Sequence, residues 1–538
     1  MEMADYIVVG SGASGSIAAQ TLVEDGANVV MIDVGVKDDK YSKLIPQKDF
    51  LSIRRNEDAQ RDYFLGKDFE GVAWGKMGKG AQITPPRRHI MAMADKYLAI
   101  DSETFEPLES LAYGGLGAGW GLQCWAYSDD DIAAVGLDAA RMREAYETVA
   151  QRIGISATYD DAGPYTLGPL KGFQPSPKAD RNQQLILDKY AKHKKSVNKK
   201  GVYIGRTPLA LLTQDAPGRK KYAYRDMDFY SDNDKSAWRP WITVEALRRR
   251  KNFKYLNGLL LLSFEEKKDH TRLFCLDVET DQAVELKCRK LILATGAYST
   301  ARIVLRSFGK LDHKLPLLCN PYTYAPSIQP KMLGRGAEKR KLGFGQVSLF
   351  LDPRRTNFDI SVASTYSYQS LMLFRVIREA PLNLADARII MNYLMSGLVI
   401  MVIHHPDHAS SKKYLKLVAD KSSVTGDKLR AEYELSDAEL EQMDEREKQF
   451  AAAMRKLGTY AFKRIKQNHG SSIHYAGTLP FSEKSADFHL APNGRLHGTR
   501  SVFVADSSGF KYLPARGLTF SLMANAHITA KKALKNGE

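Results

Sequence analysis

Asp5-Tyr6-Ile7-Val8-Val9-Gly10-Ser11-Gly12-Ala13-Ser14-Gly15 is the stretch on which the reading of the fold turns. A short apolar, β-branched run ending in glycine predicts a strand buried on both faces of a parallel sheet. Ile17-Ala18-Ala19 and Thr21-Leu22-Val23 continue at helical spacing, and Ala27 to Ile32 predicts a second apolar strand with Asp33 at its end. Each glycine then has a task. Gly10 permits the tight strand-to-helix turn, Gly12 lets a pyrophosphate approach bare backbone, and Gly15 lets helix and strand pack closely. The phosphates would meet the positive end of the helix dipole. Asp33, eighteen residues past Gly15, is placed to accept hydrogen bonds from ribose hydroxyls. The unit predicts dinucleotide binding and does not by itself separate a flavin from a nicotinamide.

Working outward, the chain has 538 residues, 44% hydrophobic and 26% charged, which suits two or more globular domains with a large core. The four cysteines, Cys124, Cys275, Cys288 and Cys319, include no C-x-x-C pair, so no zinc ribbon or disulfide framework is expected and no metal site is assigned. No basic segment followed by an apolar run and cleavage site precedes the first strand, and a cytoplasmic protein is expected. The net charge of +16 is spread over separate clusters such as Arg248-Arg249-Arg250-Lys251 and Lys339-Arg340-Lys341, with no nucleic-acid-binding motif beside them. They read as solvated surface. Attraction to anionic lipid or to a phosphorylated substrate stays open.

Residues 110–121 hold five glycines in eight positions, too many for a helix or strand interior but suited to wrapping a flat ligand, with Trp120 and Trp125 as bulky anchors. Asp138 to Ile153 predicts a helix. Thr243 is read as capping a short helix through Arg250, Phe253 to Ser263 and Thr271 to Val278 as strands, and Lys290 to Ala294 as a strand ending in Thr295-Gly296-Ala297. Residues 311–470 differ in character. Strands are expected over Phe344 to Leu351 and Phe358 to Ala363, and two helices near 436–449 and 450–467. This part reads as a substrate domain inserted into the cofactor domain. The apolar run Ile389 to Ile403, about fifteen residues, is short for a bilayer span and reads as a buried strand or helix. With Leu371 to Phe374 and Arg375, Arg378 and Arg388 beside it, a basic interfacial patch is the other reading. Near the end, Ser501 to Ala505 predicts a strand running into Asp506-Ser507-Ser508, and Thr519 to Lys532 a closing helix.

In this order the pieces resemble the glucose–methanol–choline (GMC) oxidoreductase family. The resemblance is carried by the Gly10 turn, Gly114-Gly115-x-x-x-x-Trp120-Gly121, Ala294-Thr295-Gly296-Ala297-Tyr298-Ser299, His474-x-x-Gly477-Thr478 and Val504-Ala505-Asp506-Ser507-Ser508. It covers both ends and the middle, about half of the chain, and not the substrate domain. It implies an α/β fold: a doubly wound, Rossmann-like FAD-binding domain from 1–45, 96–170, 236–312 and 470–538, an extended arm at 46–95, and an inserted α+β substrate-binding domain on an antiparallel sheet from 171–235 and 313–469. FAD would touch Gly10, Gly12, Ser14, Gly15, Asp33, Gly114, Gly115, Trp120, Ala294, Gly296, Asp506, Ser507 and Thr519.

The family oxidises alcohols, often sugars, by hydride transfer to flavin N5, and His474 matches its proton-accepting histidine. Imidazole suits that task near neutral pH. Some members attach FAD through a histidine just before the loop tryptophan; here that position is Gly119, so non-covalent FAD is expected. The family's second polar residue, an Asn or His after the Asp-x-Ser segment, is missing, since the stretch reads Leu513-Pro514-Ala515-Arg516-Gly517-Leu518-Thr519. Arg516, always charged and a poor base, is assigned instead to a developing alkoxide or an acidic substrate group. His404, His405 and Asn525 stand as other partners for His474, and Arg87-Arg88 as residues reaching the site from the arm. The substrate is expected to be a small-molecule alcohol or sugar, with the electron acceptor left open. Two further readings remain: a decarboxylase or lyase on the same scaffold, and a membrane-surface flavoprotein acting on a lipid-linked substrate.

Overall fold

The computed structural model describes residues 3–71, 83–336, 338, 340–367 and 383–535. Its chain folds into a mixed α/β structure with two large sheets. In the first, Ala4–Val9 lies between Val29–Ile32 and the far half of Ala283–Leu293, parallel to both, and Phe253–Leu256 continues the parallel set beside Val29–Ile32. Val502–Val504 closes the other side, parallel to Leu291 to Leu293. The long strand Ala283–Leu293 changes character along its length. Its first six residues pair antiparallel with Thr271–Asp277 and only two of them, Leu286 and Cys288, are buried; its last three are fully buried where the parallel neighbours flank it. This is the expected difference between a sheet with one wet face and one covered on both. Helix Ala13–Glu24 and the closing helix Thr519–Lys535 pack on the parallel set, joined by Thr21 Oγ1 and His527 Nδ1 at 2.8 Å.

The second sheet is antiparallel throughout, in the order Val202–Arg206, Val347–Leu351, Ser361–Ser367, Leu398–His404, Tyr322–Ile328, with Tyr460–Ala461 and Ile465–Lys466 both pairing the last of these. Helices Arg181–Asn198 and Asp437–Lys456 cover it, burying Ile186, Tyr190, Phe450 and Met454.

Several expectations are corrected. Phe253 to Ser263 is two strands, Phe253–Leu256 and Leu259–Glu266, because Gly258 at φ +80° turns the chain between them. The helix near residue 243 is Pro240–Leu247, started by proline at its first position rather than by Thr243. The two helices expected over 436–467 are one, Asp437–Lys456: a Ser436–Glu439 capping box starts it and no glycine or proline interrupts it before Gly458. The run Ile389 to Ile403 divides. Its second part is the central strand Leu398–His404, while Ile389, Ile390 and Tyr393 sit exposed on helix Leu384–Leu394. Leu371 to Phe374, Arg375 and Arg378 lie outside the described residues, as does the side chain of Arg388. Within 46–95, the described residues form short helical segments, Phe50–Asn56, Asp62–Gly66 and Pro85–Ile90, in place of an extended arm. Among the described residues, no helix is long and apolar enough to cross a membrane.

Candidate active site

The carboxyl ends of Ala4–Val9 and Ala283–Leu293 open onto a cavity of about 340 Å³, which is where open α/β sheets place their ligands. One end is built from backbone. Gly10, at φ +96°, has no room for a side chain: a Cβ would stand 2.8 Å from the Ala294 carbonyl oxygen. At Gly15 a Cβ would fall 1.9 Å from the Gly10 carbonyl oxygen, so helix Ala13–Glu24 approaches its strand only because this residue has none. Gly12 is different. A Cβ there would meet nothing closer than 4.0 Å, yet Gly12 lines the cavity at the helix N-terminus. The protein's own packing does not demand this glycine; an incoming group would. Gly115, at φ +55°, lies opposite, its virtual Cβ 3.3 Å from Gly12 Cα.

Asp33 lines the same end. Its carboxylate accepts from Ser11 Oγ, which in turn accepts from Gly114 N–H at 2.8 Å. Ser11, an unassigned position within the glycine motif, therefore ties the acid to the second glycine loop. Burial pushes the Asp33 carboxyl up to about 7, with Ser11 and Tyr255 opposing the shift. Ser14, Ala294, Gly296, Ser507, Thr519 and Trp120 also line the cavity. The Trp120 indole is held by its N–H to the Trp238 carbonyl at 3.0 Å. Trp125, read as a second anchor, is instead fully buried against Phe350.

At the other end stand His474 and Gly517, with Gln123 hydrogen-bonded to Tyr366 at 3.2 Å. Burial lowers the His474 imidazole to about 4, so the ring is neutral at ordinary pH. His474 Nδ1 lies 3.1 Å from Asn320 Oδ1, and the His404 ring stacks on it with centroids 5.1 Å apart. His405 sits in a separate buried network with Glu447 and Ser361. Asn525 donates to the Asp506 carbonyl at 3.3 Å. Asn320 is the neighbour that sequence reading missed. No local motif marks it, and only the pairing of Leu318–Cys319 with Tyr475–Ala476 brings it to His474.

Arg516 does not reach the cavity, which corrects its assignment to substrate. Its guanidinium is fully buried against Asp131, the Asn357 side chain and, at 3.1 Å, the Tyr165 carbonyl. Its neighbour Gly517 faces His474 instead, with a virtual Cβ 4.0 Å from His474 Cε1. Residue 517 therefore contributes no side chain beside the imidazole. Asp506 also departs from expectation, for it is absent from the cavity wall. Its two oxygens accept from Gly296 N–H at 3.0 Å, Thr300 Oγ1 at 2.6 Å and Ser508 N–H at 2.9 Å, clamping two remote turns together. Arg87 pairs with Asp232 at 2.6 Å and Arg88 donates to the Glu70 carbonyl at 2.5 Å, neither lining the cavity. Among the described residues no cluster of His, Cys, Asp or Glu is arranged to hold a metal.

The arrangement can seat a diphosphate against a helix N-terminus and present a neutral imidazole at the far end of one continuous space. Residues 403–526, which include His474 and Gly517, match the family model described as GMC oxidoreductase. Over 321 residues the chain is 23% identical to paromamine 6'-oxidase of Streptomyces fradiae, covering 57% of this chain and 50% of that protein. The chain thus spans about half the length of this curated relative. A solved structure of pyridoxine 4-oxidase from Mesorbium loti shares the fold, with a TM-score of 0.58 at 14% identity over 99% of each chain.

Proposed function

We propose that the chain is a GMC oxidoreductase, the family whose model matches residues 403–526, that it binds FAD without a covalent link, and that it oxidises the alcohol of a small polar substrate with His474 as the base. The residues fit the cofactor. Gly12 and Gly115 leave bare backbone and open space at the helix N-terminus for a pyrophosphate, and Asp33 stands where a ribose would lie. Gly119 offers no nucleophile for a covalent link, and a Cβ there would come within 2.8 Å of Ile90. The parallel-sheet unit is the FAD-binding part on this reading, with Ala294, Gly296, Ser507, Thr519 and Trp120 lining the cofactor. The antiparallel sheet is the substrate-binding part. The four cysteines are buried and unpaired, in keeping with a cytoplasmic setting.

When bound, the flavin supplies the two-electron acceptor for the hydride leaving the carbinol carbon. The chain's own part is to hold the alcohol and take its proton. A neutral imidazole at the cavity wall accepts the hydroxyl proton, and burial keeps it neutral well below pH 7. Gln123, held by Tyr366, gives the substrate side a polar group for a hydroxylated molecule. The curated relative is named for oxidation at the 6' position of paromamine and the structural neighbour for the 4 position of pyridoxine. A sugar or sugar-containing alcohol is the substrate class we favour.

One observation carries the reading: His474 shares a continuous cavity with the Gly10–Gly15 turn. The test begins with the absorption spectrum of purified protein, which should show oxidised flavin that acid precipitation releases into the supernatant. Anaerobic addition of sugars and amino sugars should bleach it, and His474→Ala should stop the bleaching. Protein that stays colourless after incubation with FAD would defeat the proposal.

A further inference from the structure

We propose that Asn320 is a positioning residue that holds His474 in one tautomer, with the proton on Nδ1 and the lone pair on Nε2, and so does from behind the ring what a second polar side chain does not do across the cavity. The inference rests on His474 being the base. Strand Leu318–Cys319 pairs antiparallel with Tyr475–Ala476, with Cys319 opposite Tyr475. One step further along that register sets Asn320 beside His474, which is how residues 154 apart in sequence come to share a hydrogen bond of 3.1 Å.

The surroundings of Asn320 decide which end of its amide faces the ring. The side chain is buried, and its Nδ2 points at three carbonyl oxygens, those of His405 at 2.9 Å, Pro514 at 3.1 Å and Leu513 at 3.3 Å. Three acceptors converge there, so the group among them must be the NH2, and the opposite end must be the oxygen. An amide oxygen has no proton to give. The contact with Nδ1 therefore requires Nδ1–H, and in a neutral imidazole the other nitrogen is then the acceptor.

Nε2 is left free for chemistry. Among the described residues it makes no hydrogen bond, and the ring forms part of the cavity wall beside Gly517. His404, stacked on the ring, is itself held neutral by burial and supplies no charge to select a tautomer. Leu513 and Pro514, which accept from Asn320, lead directly into Gly517, so the same amide also steadies the wall facing the base.

The decisive measurement needs no substrate. Holoprotein labelled with 15N-histidine is studied by solid-state NMR, with His474 identified by difference from His474→Gln. The wild type should show a protonated Nδ1 and a bare Nε2 throughout about pH 6 to 9, since the ring is neutral over that range. In Asn320→Ala a population protonated at Nε2 should appear. A wild-type proton on Nε2, or an Asn320→Ala spectrum unchanged from wild type, would overturn the proposal.

Kinetics give a second readout. With a sugar that bleaches the wild type, Asn320→Ala should slow anaerobic flavin reduction roughly 10- to 100-fold, the lower part of what a general base contributes, with apparent substrate affinity little changed. Asn320→Asp keeps an acceptor at Nδ1. Its other oxygen faces the three carbonyls and must carry the proton, so the variant should recover most of the rate where that acid stays protonated and lose it as the acid ionises. Equal losses in both variants at every pH would count against positioning and for a structural role. Should Asn320→Ala fail to fold, the wild-type spectrum alone still decides. Bleaching that survives His474→Ala would defeat the base reading, a failure distinct from a proton found on Nε2.

Discussion

The two ends of the cavity are made in different ways. At the Gly10 end the wall is backbone: Gly10 and Gly12 of a turn that Gly15 lets close up, a second glycine loop and a helix N-terminus, with Asp33 close by in sequence. At the His474 end the wall is side chains gathered from far apart, His474 and Gln123, each held from outside the cavity by a residue from another segment, Asn320 and Tyr366. A surface of bare backbone is spoiled by adding an atom. A surface of converging side chains is spoiled by taking one away. That contrast tells which kind of substitution each end will not tolerate.

The largest effect should follow removal of one side chain from the reactive end. His474→Ala should cut the rate of anaerobic flavin reduction by roughly 100- to 10,000-fold while leaving the protein yellow, as rapid-mixing absorbance would record. Next comes a buried charge that touches neither end. Arg516→Met leaves Asp131 in the core without its cation and should lower unfolding free energy by about 3–5 kcal/mol, seen as a lower denaturant midpoint. Molecules still folded should retain their rate of flavin reduction, since the guanidinium lies off the cavity wall. At the backbone end the addition of one methyl, Gly15→Ala, forces helix Ala13–Glu24 off its strand and should cost about 1–3 kcal/mol or more. Its clearest sign would be a drop in bound flavin per chain. If Gly15→Ala kept its full colour, the contrast between the two ends would be wrong.

Acid should expose a quieter difference. His474 and His527 are both lowered to about 4 and stay neutral in the folded protein. The unfolded chain binds protons at an ordinary histidine pKa of about 6.5. It therefore takes up protons that the folded state refuses, and stability should fall as pH drops from about 6.5 toward 4. Thermal melts across that window check this, and His474→Gln should flatten part of the slope. The smallest effect is expected at Gly517→Asn, where a Cβ meets only ordinary contacts. It should change rate by a few-fold at most and narrow the range of accepted substrates, about 1 kcal/mol of discrimination.

The same contrast explains what could be read from sequence. The Gly10-x-Gly12-x-x-Gly15 turn is legible because every constraint on it is local: a strand, a turn and a helix between Ala4 and Glu24. The parallel strands were legible for the same reason. Asn320 was not, since its meaning depends on strand pairing across 154 residues. Arg516 misled because it adjoins Gly517 in sequence while its side chain points to the opposite side, toward Asp131. Asp506 misled differently. An acid ahead of a turn invites a ligand role, yet this one satisfies backbone and hydroxyl donors of the protein itself. The missing Asn or His could be stated from sequence, but only the coordinates show that, of this stretch, Gly517 is the residue facing the imidazole.

Asp506 has a consequence for how the molecule is born. It latches the turn after Leu293 to residues more than two hundred positions downstream, and Val502–Val504 fills the last place in the parallel sheet. Until the ribosome has released those residues, the nascent chain carries an unfinished sheet edge and a glycine turn with nothing to hold. Such edges invite pairing with other chains, and contacts so distant in sequence form slowly. Chaperone dependence during synthesis, and poor recovery on dilution from denaturant, should therefore accompany this architecture.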